Sequence, residues 1–359
     1  MPRPITSIKR YPLQTNETLQ GWDSADELIL SHIRSLNPEN KRILILNDNF
    51  GALSAGLEEL PIVTYTDSYV SAKAIAMNTE QKIKPLHDLS QIDGVFDFVL
   101  IRIPKNMSFF EDQLCHLTQH LNSGSKIICG SMVKHLAPTS FDLLNKYIGT
   151  TTTSLAEKKA RLVFADFQKE KVTSPYPQSV LLDGFEKPFI NHSNLFSREK
   201  LDIGSRFFLE HIPKGPYQKI LDLGCANGVI GIKAKMQNPK ARIVFSDESW
   251  MAIKSACENY KNLFQDEAEF YWTNCFEEHN SKNIDLVLCN PPFHQQNTIG
   301  DFIAWQMFKD SSEVLAKGGN LLVIGNSHLG YQIKMKKIFG NSRIVETNQK
   351  FMICESTRQ

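Results

Sequence analysis

The feature that most limits the fold of this chain is a regular alternation of short apolar runs with longer amphipathic segments. Runs such as KILDLG (219–224) and DLVLCNP (285–291) end in Gly, Asp, Asn or Pro, which is typical of buried parallel strands. The segments between the runs, such as 249–263, have the spacing of amphipathic helices. The alternation predicts an α/β fold with a doubly wound parallel sheet, in which ligands bind at the carboxyl ends of the strands.

The N-terminal half repeats this pattern in weaker form. The repeat aligns residues 42–57 with 219–234, 63–78 with 243–259, and 96–105 with 284–293. Between the copies, the polar segment 168–179 contains two prolines and predicts a linker. We therefore expect two tandem Rossmann-like domains, the first at residues 1–172 and the second at residues 173–359.

The composition excludes several classes of protein. Of the 359 residues, 42% are hydrophobic and 22% are charged, as in globular proteins. We find no run of about 20 apolar residues that would span a membrane, and no secretory signal at the N-terminus. The seven cysteines are scattered and form no CxxC pair, so we expect a cytoplasmic protein without disulfides or a metal site. The net charge of +1 argues against a wholly basic nucleic-acid-binding protein, although a local patch could bind RNA.

A predicted cofactor loop, LDLGCANG (221–228), follows the first strand of the second copy. Gly224 allows a sharp turn, and Gly228 lets the following helix begin close to a ligand. Asp222 at the strand end favours a cationic ligand over a phosphate. S-adenosyl-L-methionine carries an ammonium group and a sulfonium and therefore fits this loop. The candidate cofactor residues of the loop are Asp222, Gly224, Cys225, Asn227 and Gly228.

Polar residues also end the next two strands. Asp247 lies 23 residues after Gly224, near the ~20-residue spacing at which an acid reaches ribose hydroxyls in nucleotide-binding folds. Asn274 would place its side-chain amide at the edge of the adenine. Either side chain alone could equally cap a helix. Their occurrence at consecutive strand ends favours a nucleoside cofactor.

The fourth strand is followed by Asn290-Pro291-Pro292-Phe293-His294. The two prolines stiffen the loop and remove two backbone donors, which leaves the Asn290 side-chain oxygen and the Pro291 carbonyl as acceptors. Two acceptors suit an NH2 group, and Phe293 offers a face on which a base can stack. We therefore predict that Asn290, Pro291 and Phe293 hold a base amine for methylation. A simple turn is the alternative, and His294 either contacts the base or bonds locally.

Together, LDLGCANGVIG and NPPFHQQNTIGDFIAWQMF resemble the class I S-adenosylmethionine-dependent methyltransferases that modify the N2 amine of guanine in ribosomal RNA. The resemblance is to the RlmG type, which acts on 23S rRNA, with the RsmC type for 16S rRNA as its sister. It implies the same roles for the cofactor loop, Asp247, Asn274 and the Asn290 turn. It also implies that segment 196–205 lies over the cofactor, with Phe196 and Ser197 as contacts. Methyltransferases for adenine N6 or protein glutamine carry related motifs and remain an alternative.

The first copy has lost the residues that would perform this chemistry. The repeat aligns Ile45 with Asp222, Asn47 with Gly224, and Arg102 with Asn290. We therefore expect a degenerate, non-catalytic domain that binds RNA or acts as a scaffold, in which Arg102 and Lys105 suit phosphate. Basic clusters within 158–171 and 334–343 would bind an RNA backbone if they edge the cleft, and otherwise form solvated faces. A non-catalytic RNA-binding or assembly protein remains a third reading.

Overall fold

Two units of similar plan make up the chain, Met1–Tyr176 and Pro177–Gln359. The structure, a computed structural model, describes residues 3–14, 18–277, 281–292 and 298–359. The boundary between the units falls inside the polar segment 168–179, after Tyr176.

The first unit is a six-stranded sheet with helices packed on it. Its strands are β1 (Ile43–Leu46), β2 (Ile62–Tyr65), β3 (Phe98–Arg102), β4 (Lys126–Met132), β5 (Thr151–Thr153) and β6 (Ala160–Asp166). Its helices are α1 (Ser24–Ser35), α2 (Ala52–Gly56), α3 (Tyr69–Asn78), α4 (Met107–Leu117) and α5 (Pro138–Tyr147). The strand order is β2-β1-β3-β4-β6-β5. The first four strands are parallel, and β6 runs antiparallel to both of its neighbours, β4 and β5.

The second unit has the same plan with one more strand in the main sheet. Its strands are β7 (Gln178–Val180), β8 (Phe189–Asn191), β9 (Lys219–Leu223), β10 (Arg242–Asp247), β11 (Glu269–Trp272), β12 (Ile284–Cys289), β13 (Leu315–Asn326), β14 (Arg343–Thr347) and β15 (Phe351–Thr357). Its helices are α6 (Ile203–Glu210), α7 (Val229–Gln237), α8 (Trp250–Leu263), α9 (Thr298–Val314) and α10 (Tyr331–Phe339). The main sheet has the order β11-β10-β9-β12-β13-β15-β14, and β7 pairs separately with β8.

The two sheets correspond strand for strand except at one edge. Where the second unit has β11 beside β10, the first unit has a single parallel bridge from Tyr65 to Leu86. The edge strand that carries Asn274 at its end is therefore reduced to one residue pair in the first unit.

Burial on both faces explains why the strands are almost continuously apolar. In β9, Ile220 packs in one apolar cluster and its neighbour Leu221 packs in another. In β12, Leu288 and Cys289 divide between the same two clusters. Since each buried apolar side chain contributes roughly 1.5–3 kcal/mol, this double burial holds the strand ends in place.

The predicted α/β fold with two tandem Rossmann-like units is confirmed, but each main sheet contains one strand that runs against the others, β6 in the first unit and β15 in the second. The sequence pattern predicts parallel strands, whereas β15 runs antiparallel to both β13 and β14. The reason is local, because the Asn348 side chain accepts hydrogen bonds from the backbone N–H groups of Lys350 and Phe351. The resulting tight turn joins β14 to β15 as a hairpin, and a hairpin is necessarily antiparallel.

None of the helices in the described part of the chain has both the length and the apolar character needed to cross a bilayer.

Candidate active site

Strand register brings the predicted site residues to one edge of the second sheet. Asp222 pairs with Leu288 of β12 and with Phe245 of β10, so the residues that follow these strands are neighbours. Asp247 in turn pairs with Trp272 of β11, and Asn274 follows Trp272 by two residues. The glycine loop, Asp247, Asn274 and Asn290 therefore share the carboxyl edge of the sheet, where ligands bind in this class of fold.

The loop between β9 and α7 is shaped by three residues with left-handed backbones. Gly224, Ala226 and Gly228 have φ angles of 77°, 48° and 82°. A Cβ on Gly228 would lie 3.0 Å from the Cβ of Ala256 in α8, so glycine is required there for close packing as well as for conformation. Ala226 shares the left-handed conformation of the two glycines although it carries a Cβ, which such a backbone disfavours by roughly 1–2 kcal/mol.

Asp222 lies beneath this loop, with 1% of its surface exposed. Its Oδ2 accepts a hydrogen bond of 2.7 Å from the backbone N–H of Gly231 in α7. Its Oδ1 is buried and has no hydrogen-bond partner among the described residues. Burial raises the pKa of this carboxyl to about 7, and the nearby Asp247 charge adds to the rise, while the Gly231 bond opposes it. A buried carboxylate oxygen without a donor is the arrangement that a cationic ligand group would complete.

Asp247 joins the end of β10 to the glycine loop. Its Oδ2 accepts a 2.9 Å hydrogen bond from the N–H of Ala226, and its Oδ1 accepts one of 3.0 Å from the N–H of Ser249. Burial raises the pKa of this carboxyl, and these backbone donors oppose the rise. The carboxylate therefore holds both the loop and Ser249, the N-cap residue of α8, and it remains partly exposed at the edge where a ribose would lie.

The remaining loop residues serve the loop itself in this structure. The side chain of Cys225 is buried in the apolar core, so only its backbone faces the loop. The Asn227 side chain donates to Asn191 Oδ1 at 3.0 Å and accepts from the Val229 N–H at 3.2 Å. At the end of the next strand, Asn274 donates to Glu277 at 3.0 Å. The cofactor roles of Cys225, Asn227 and Asn274 remain predictions.

Asn227 fastens the segment after β8 to the cofactor loop. Asn191 accepts from Asn227 and donates to the backbone oxygen of Arg198 at 2.7 Å, which bends this segment back on itself. Within the bend, Phe196 is 64% exposed and Ser197 has a positive φ of 50°. The segment thus borders the loop, and a direct contact of Phe196 and Ser197 with a cofactor remains a prediction. Sequence reasoning gave Asn191 no role, and no local pattern marks it.

Asn290 follows β12 and its amide has two different ends. Its Nδ2 donates a 3.0 Å hydrogen bond to the hydroxyl of Ser205 in α6. Its Oδ1 is buried and has no partner in the described part of the chain. Pro291 is buried and Pro292 is exposed. The predicted base contact Phe293, like His294, lies outside the described residues.

Ser205 is the site residue that sequence reasoning passed over. It lies in the segment 196–205 but carries no catalytic motif. Its signal is the spacing Asp202-x-x-Ser205, in which Asp202 caps α6 by accepting from the Ser205 N–H at 3.0 Å. That pattern marks a helix start but does not reveal a contact with Asn290, 85 residues away.

The corresponding loop of the first unit is closed by its own side chains. Asn47 keeps the left-handed backbone of Gly224, with φ 63°, but its amide bonds to Gln113 of α4. The carboxylate of Asp48 turns inward and accepts from the N–H and hydroxyl of Ser54. Ser54 aligns with Gly231. The Ser54 N–H therefore bonds to Asp48 in the first unit, whereas the equivalent Gly231 N–H bonds to Asp222 in the second.

Arg102 is not a phosphate-binding residue, which corrects one expectation from the sequence. It is buried and forms ion pairs with Asp26 and, at 2.8 Å, with Asp23, at the N-terminus of α1. Burial raises the pKa of Asp26 to about 6, and the Arg102 charge opposes that rise. The guanidinium therefore belongs to an internal ion-pair cluster and is not available to a phosphate.

No group of His, Cys, Asp or Glu side chains in the described ranges is arranged to hold a metal ion. The seven cysteines are all free thiols.

A glycine loop over a buried strand-end acid, with a second acid on the next strand, is a nucleoside-binding edge, and it fits a class I S-adenosylmethionine-dependent methyltransferase. Comparison with known proteins agrees. Residues 186–355 match the family model of the methyltransferase small domain, and residues 3–169 match that of the RLMG N-terminal domain. The chain belongs to the ribosomal RNA large subunit methyltransferase G family, so the predicted family and cofactor are confirmed.

Two curated relatives establish this membership. The chain is 42% identical over 360 residues to ribosomal RNA large subunit methyltransferase G of Stutzerimonas stutzeri, covering 97% of this chain and 96% of that one. It is 42% identical over 366 residues to the protein of the same name from Vibrio atlanticus, covering 98% and 95%. A solved structure, the T. thermophilus 16S rRNA N2 G1207 methyltransferase (RsmC) in complex with AdoMet and guanosine, shares the fold. Its TM-score is 0.79, with 17% identity and 99% of each chain covered.

Proposed function

We propose that this protein transfers a methyl group from S-adenosylmethionine to the exocyclic N2 amine of one guanine in 23S ribosomal RNA, in the cytoplasm. The observation that carries the proposal is the buried, unpartnered Oδ1 of Asn290, at the same sheet edge as the cofactor loop. The names of the curated relatives support the large-subunit RNA as substrate. The guanosine bound to the 16S rRNA enzyme supports a guanine as the target base.

The cofactor loop fits S-adenosylmethionine. Asp222 Oδ1 is a buried acceptor that the ammonium group would satisfy, and Asp247 is the partly exposed acid for the ribose hydroxyls. Phe196, exposed on the bordering segment, and Asn274 would complete the contacts to the nucleoside. When bound, the cofactor supplies a methyl group on a positively charged sulfur, which needs no further activation.

The chain's own contribution is to hold the amine. The N2 amine of guanine has two hydrogens, and the Asn290 Oδ1 and the Pro291 carbonyl are the acceptors for them. Holding both hydrogens turns the nitrogen lone pair toward the methyl carbon. The bound cofactor would supply the methyl group and keep the electron pair of the broken C–S bond, and the methylated amine held by Asn290 and Pro291 would release one proton to solvent. Alignment of this kind accounts for most of the rate in reactions with an activated donor.

The first unit is proposed to be a non-catalytic domain that binds RNA or supports the second unit. Its loop is closed by Asp48 and Gln113, and Arg102 replaces the amine acceptor. In the first unit's basic cluster, Lys159 and Lys169 are exposed, while Lys158 pairs with Glu27. In the second unit's cluster, Lys336 and Lys337 are exposed on α10 and Arg343 pairs with Glu355. Exposed lysines of this kind would give RNA binding that weakens steeply with salt.

The test is nucleoside mass analysis after incubation with labelled S-adenosylmethionine. Purified 23S rRNA, 16S rRNA and assembled large subunits are each digested, and N2-methylguanosine is expected only from the large-subunit RNA. Product in 16S rRNA would favour the small-subunit alternative. N6-methyladenosine, or a methylated protein, would overturn the guanine assignment.

Asn290→Ala is the matched variant. Since the Asn290 amide bonds to Ser205 and takes no part in the hydrogen bonds of the cofactor loop, cofactor affinity is expected to stay within about twofold of the wild type. Turnover is expected to fall by roughly 100-fold or more, because losing an oriented acceptor costs about 2–4 kcal/mol of transition-state stabilisation. Near-wild-type turnover would remove the role of Asn290.

A further inference from the structure

The two ends of the Asn290 amide have different environments, and only one of them is bonded. The Nδ2 end is 3.0 Å from the Ser205 hydroxyl, and the Oδ1 end is buried without a partner in the described residues. An amide can rotate by half a turn and exchange its oxygen and nitrogen. Rotated in that way, it would present N–H groups to an incoming NH2, and the two groups would repel. Something must therefore decide which end faces the substrate.

The surroundings of the Ser205 hydroxyl determine which end of the Asn290 amide faces the substrate. Its hydroxyl lies 3.5 Å from Asp202 Oδ2, and its backbone N–H donates to the same oxygen at 3.0 Å. At 3.5 Å this hydroxyl–carboxylate contact is long for a hydrogen bond, but the carboxylate only accepts and its charge attracts the hydroxyl proton. A hydroxyl lone pair is then left to accept from the Asn290 amide. A lone pair attracts the Nδ2 end of the amide. The Oδ1 end is thereby directed into the site.

The first unit repeats this contact with different chemistry. Asp23 caps α1 as Asp202 caps α6. Three residues after each cap, Asp26 in the first unit and Ser205 in the second contact the residue at the end of the aligned strand. In the first unit that contact is the ion pair of Asp26 with Arg102. Two copies of one fold thus keep the same helix start against the same strand end. Only the second copy carries a hydroxyl and an amide there.

We propose that Ser205 is a positioning residue, which orients the Asn290 amide so that its oxygen faces the substrate amine. The inference rests on the proposed function of Asn290 and assigns to α6 a part in the reaction. Ser205 itself is buried, and it acts through Asn290.

The experiment compares Ser205→Ala, Ser205→Thr and the wild type in steady-state methylation of the rRNA substrate. Ser205→Ala removes the hydroxyl but leaves a good helix former, so the fall in its thermal midpoint should be no larger than that of a control in which another buried hydroxyl is removed. Loss of the orienting bond is expected to lower kcat roughly tenfold. The KM for RNA and the Kd for S-adenosylmethionine should each change by less than about twofold. Ser205→Thr keeps the hydroxyl and should recover most of the lost kcat.

Ser356→Ala is the control. Ser356 in β15 is also buried, and its hydroxyl donates a 2.8 Å hydrogen bond to the backbone oxygen of Asn341, away from the carboxyl edge. It should lose some stability but no kcat. An unchanged kcat in Ser205→Ala, or an equal loss in Ser205→Thr and Ser205→Ala, would overturn the inference. If the wild type makes a product other than N2-methylguanosine, the proposed function fails, while the ratio of variant to wild-type rates still reports on Ser205.

Discussion

The burial of Asp222 predicts that cofactor binding depends on pH near neutrality. Burial raises the pKa of this carboxyl to about 7, so in the free protein near pH 7 about half of the molecules carry a protonated Asp222. The ammonium group of the cofactor binds the ionised form and would lower that pKa in the complex. Binding below pH 7 must therefore release a proton.

The size of the effect follows from the pKa. With a free-state pKa of about 7, lowering the pH from about 7.5 to about 6 should raise the Kd for S-adenosylmethionine by roughly eightfold. The effect should reverse when the pH is restored, because no part of the fold needs to change.

Isothermal titration calorimetry measures this directly. The Kd is determined across the pH range, and titrations in two buffers of different ionisation enthalpy give the number of protons released. Asp222→Asn is the matched control, since the amide has the same shape and keeps an acceptor for Gly231. The variant should bind more weakly at pH ~7.5 and show a flat profile down to pH ~6. A flat profile in the wild type, with no proton release, would refute the reasoning.

The same shift affects the stability of the free protein, and two other buried features allow comparable tests. The pKa of Asp222 is higher in the folded than in the unfolded protein, so its ionisation destabilises the fold, by up to about 4 kcal/mol at pH 8. This cost is relieved as the pH falls toward 4. In a thermal scan at pH 8, Asp222→Asn should therefore raise the melting temperature of the free protein. Arg102→Met should destabilise the first unit by roughly 3–5 kcal/mol in urea unfolding, because it leaves the buried Asp26 unpaired. The double variant Arg102→Met with Asp26→Leu should recover much of that loss. An unchanged urea midpoint in the single variant would show that the ion pair is unimportant. Ala226→Gly should raise the free energy of unfolding by about 0.5–1 kcal/mol. The relief of the φ of 48° outweighs the greater entropy of glycine in the unfolded chain. A smaller gain would mean that the loop already relaxes its backbone around alanine.

Much of the fold was predictable because the signals that specify it are local. Apolar runs that end in Gly, Asp or Asn predicted β9, β10 and β12, and the alignment of the two halves predicted the duplication. The sharp turn at Gly224, with its left-handed φ of 77°, was predictable because a tight connection between a strand and a helix favours glycine. The antiparallel β15 was not predicted, since its direction is set by the turn at Asn348 and not by its own composition.

The candidate site was predictable as a set of strand ends and not as a set of contacts. The parallel register of the strands places Asp247 and Asn290 beside the cofactor loop, independently of the contacts that their side chains make. The interpretation of Arg102 as a phosphate-binding residue was wrong because its partners, Asp23 and Asp26, lie more than 70 residues away in the chain.

The sequence by itself therefore determined the alternation of strands and helices, the duplication, the glycine loop and the stiff turn after β12, because each depends on residues close together in the chain. The tertiary structure decided the pKa of Asp222, the closure of the first unit's loop by Asp48, and the orientation of Asn290 by Ser205. Those properties depend on burial and on hydrogen bonds between distant segments, and a one-dimensional pattern carries no record of which distant side chain fills a given space.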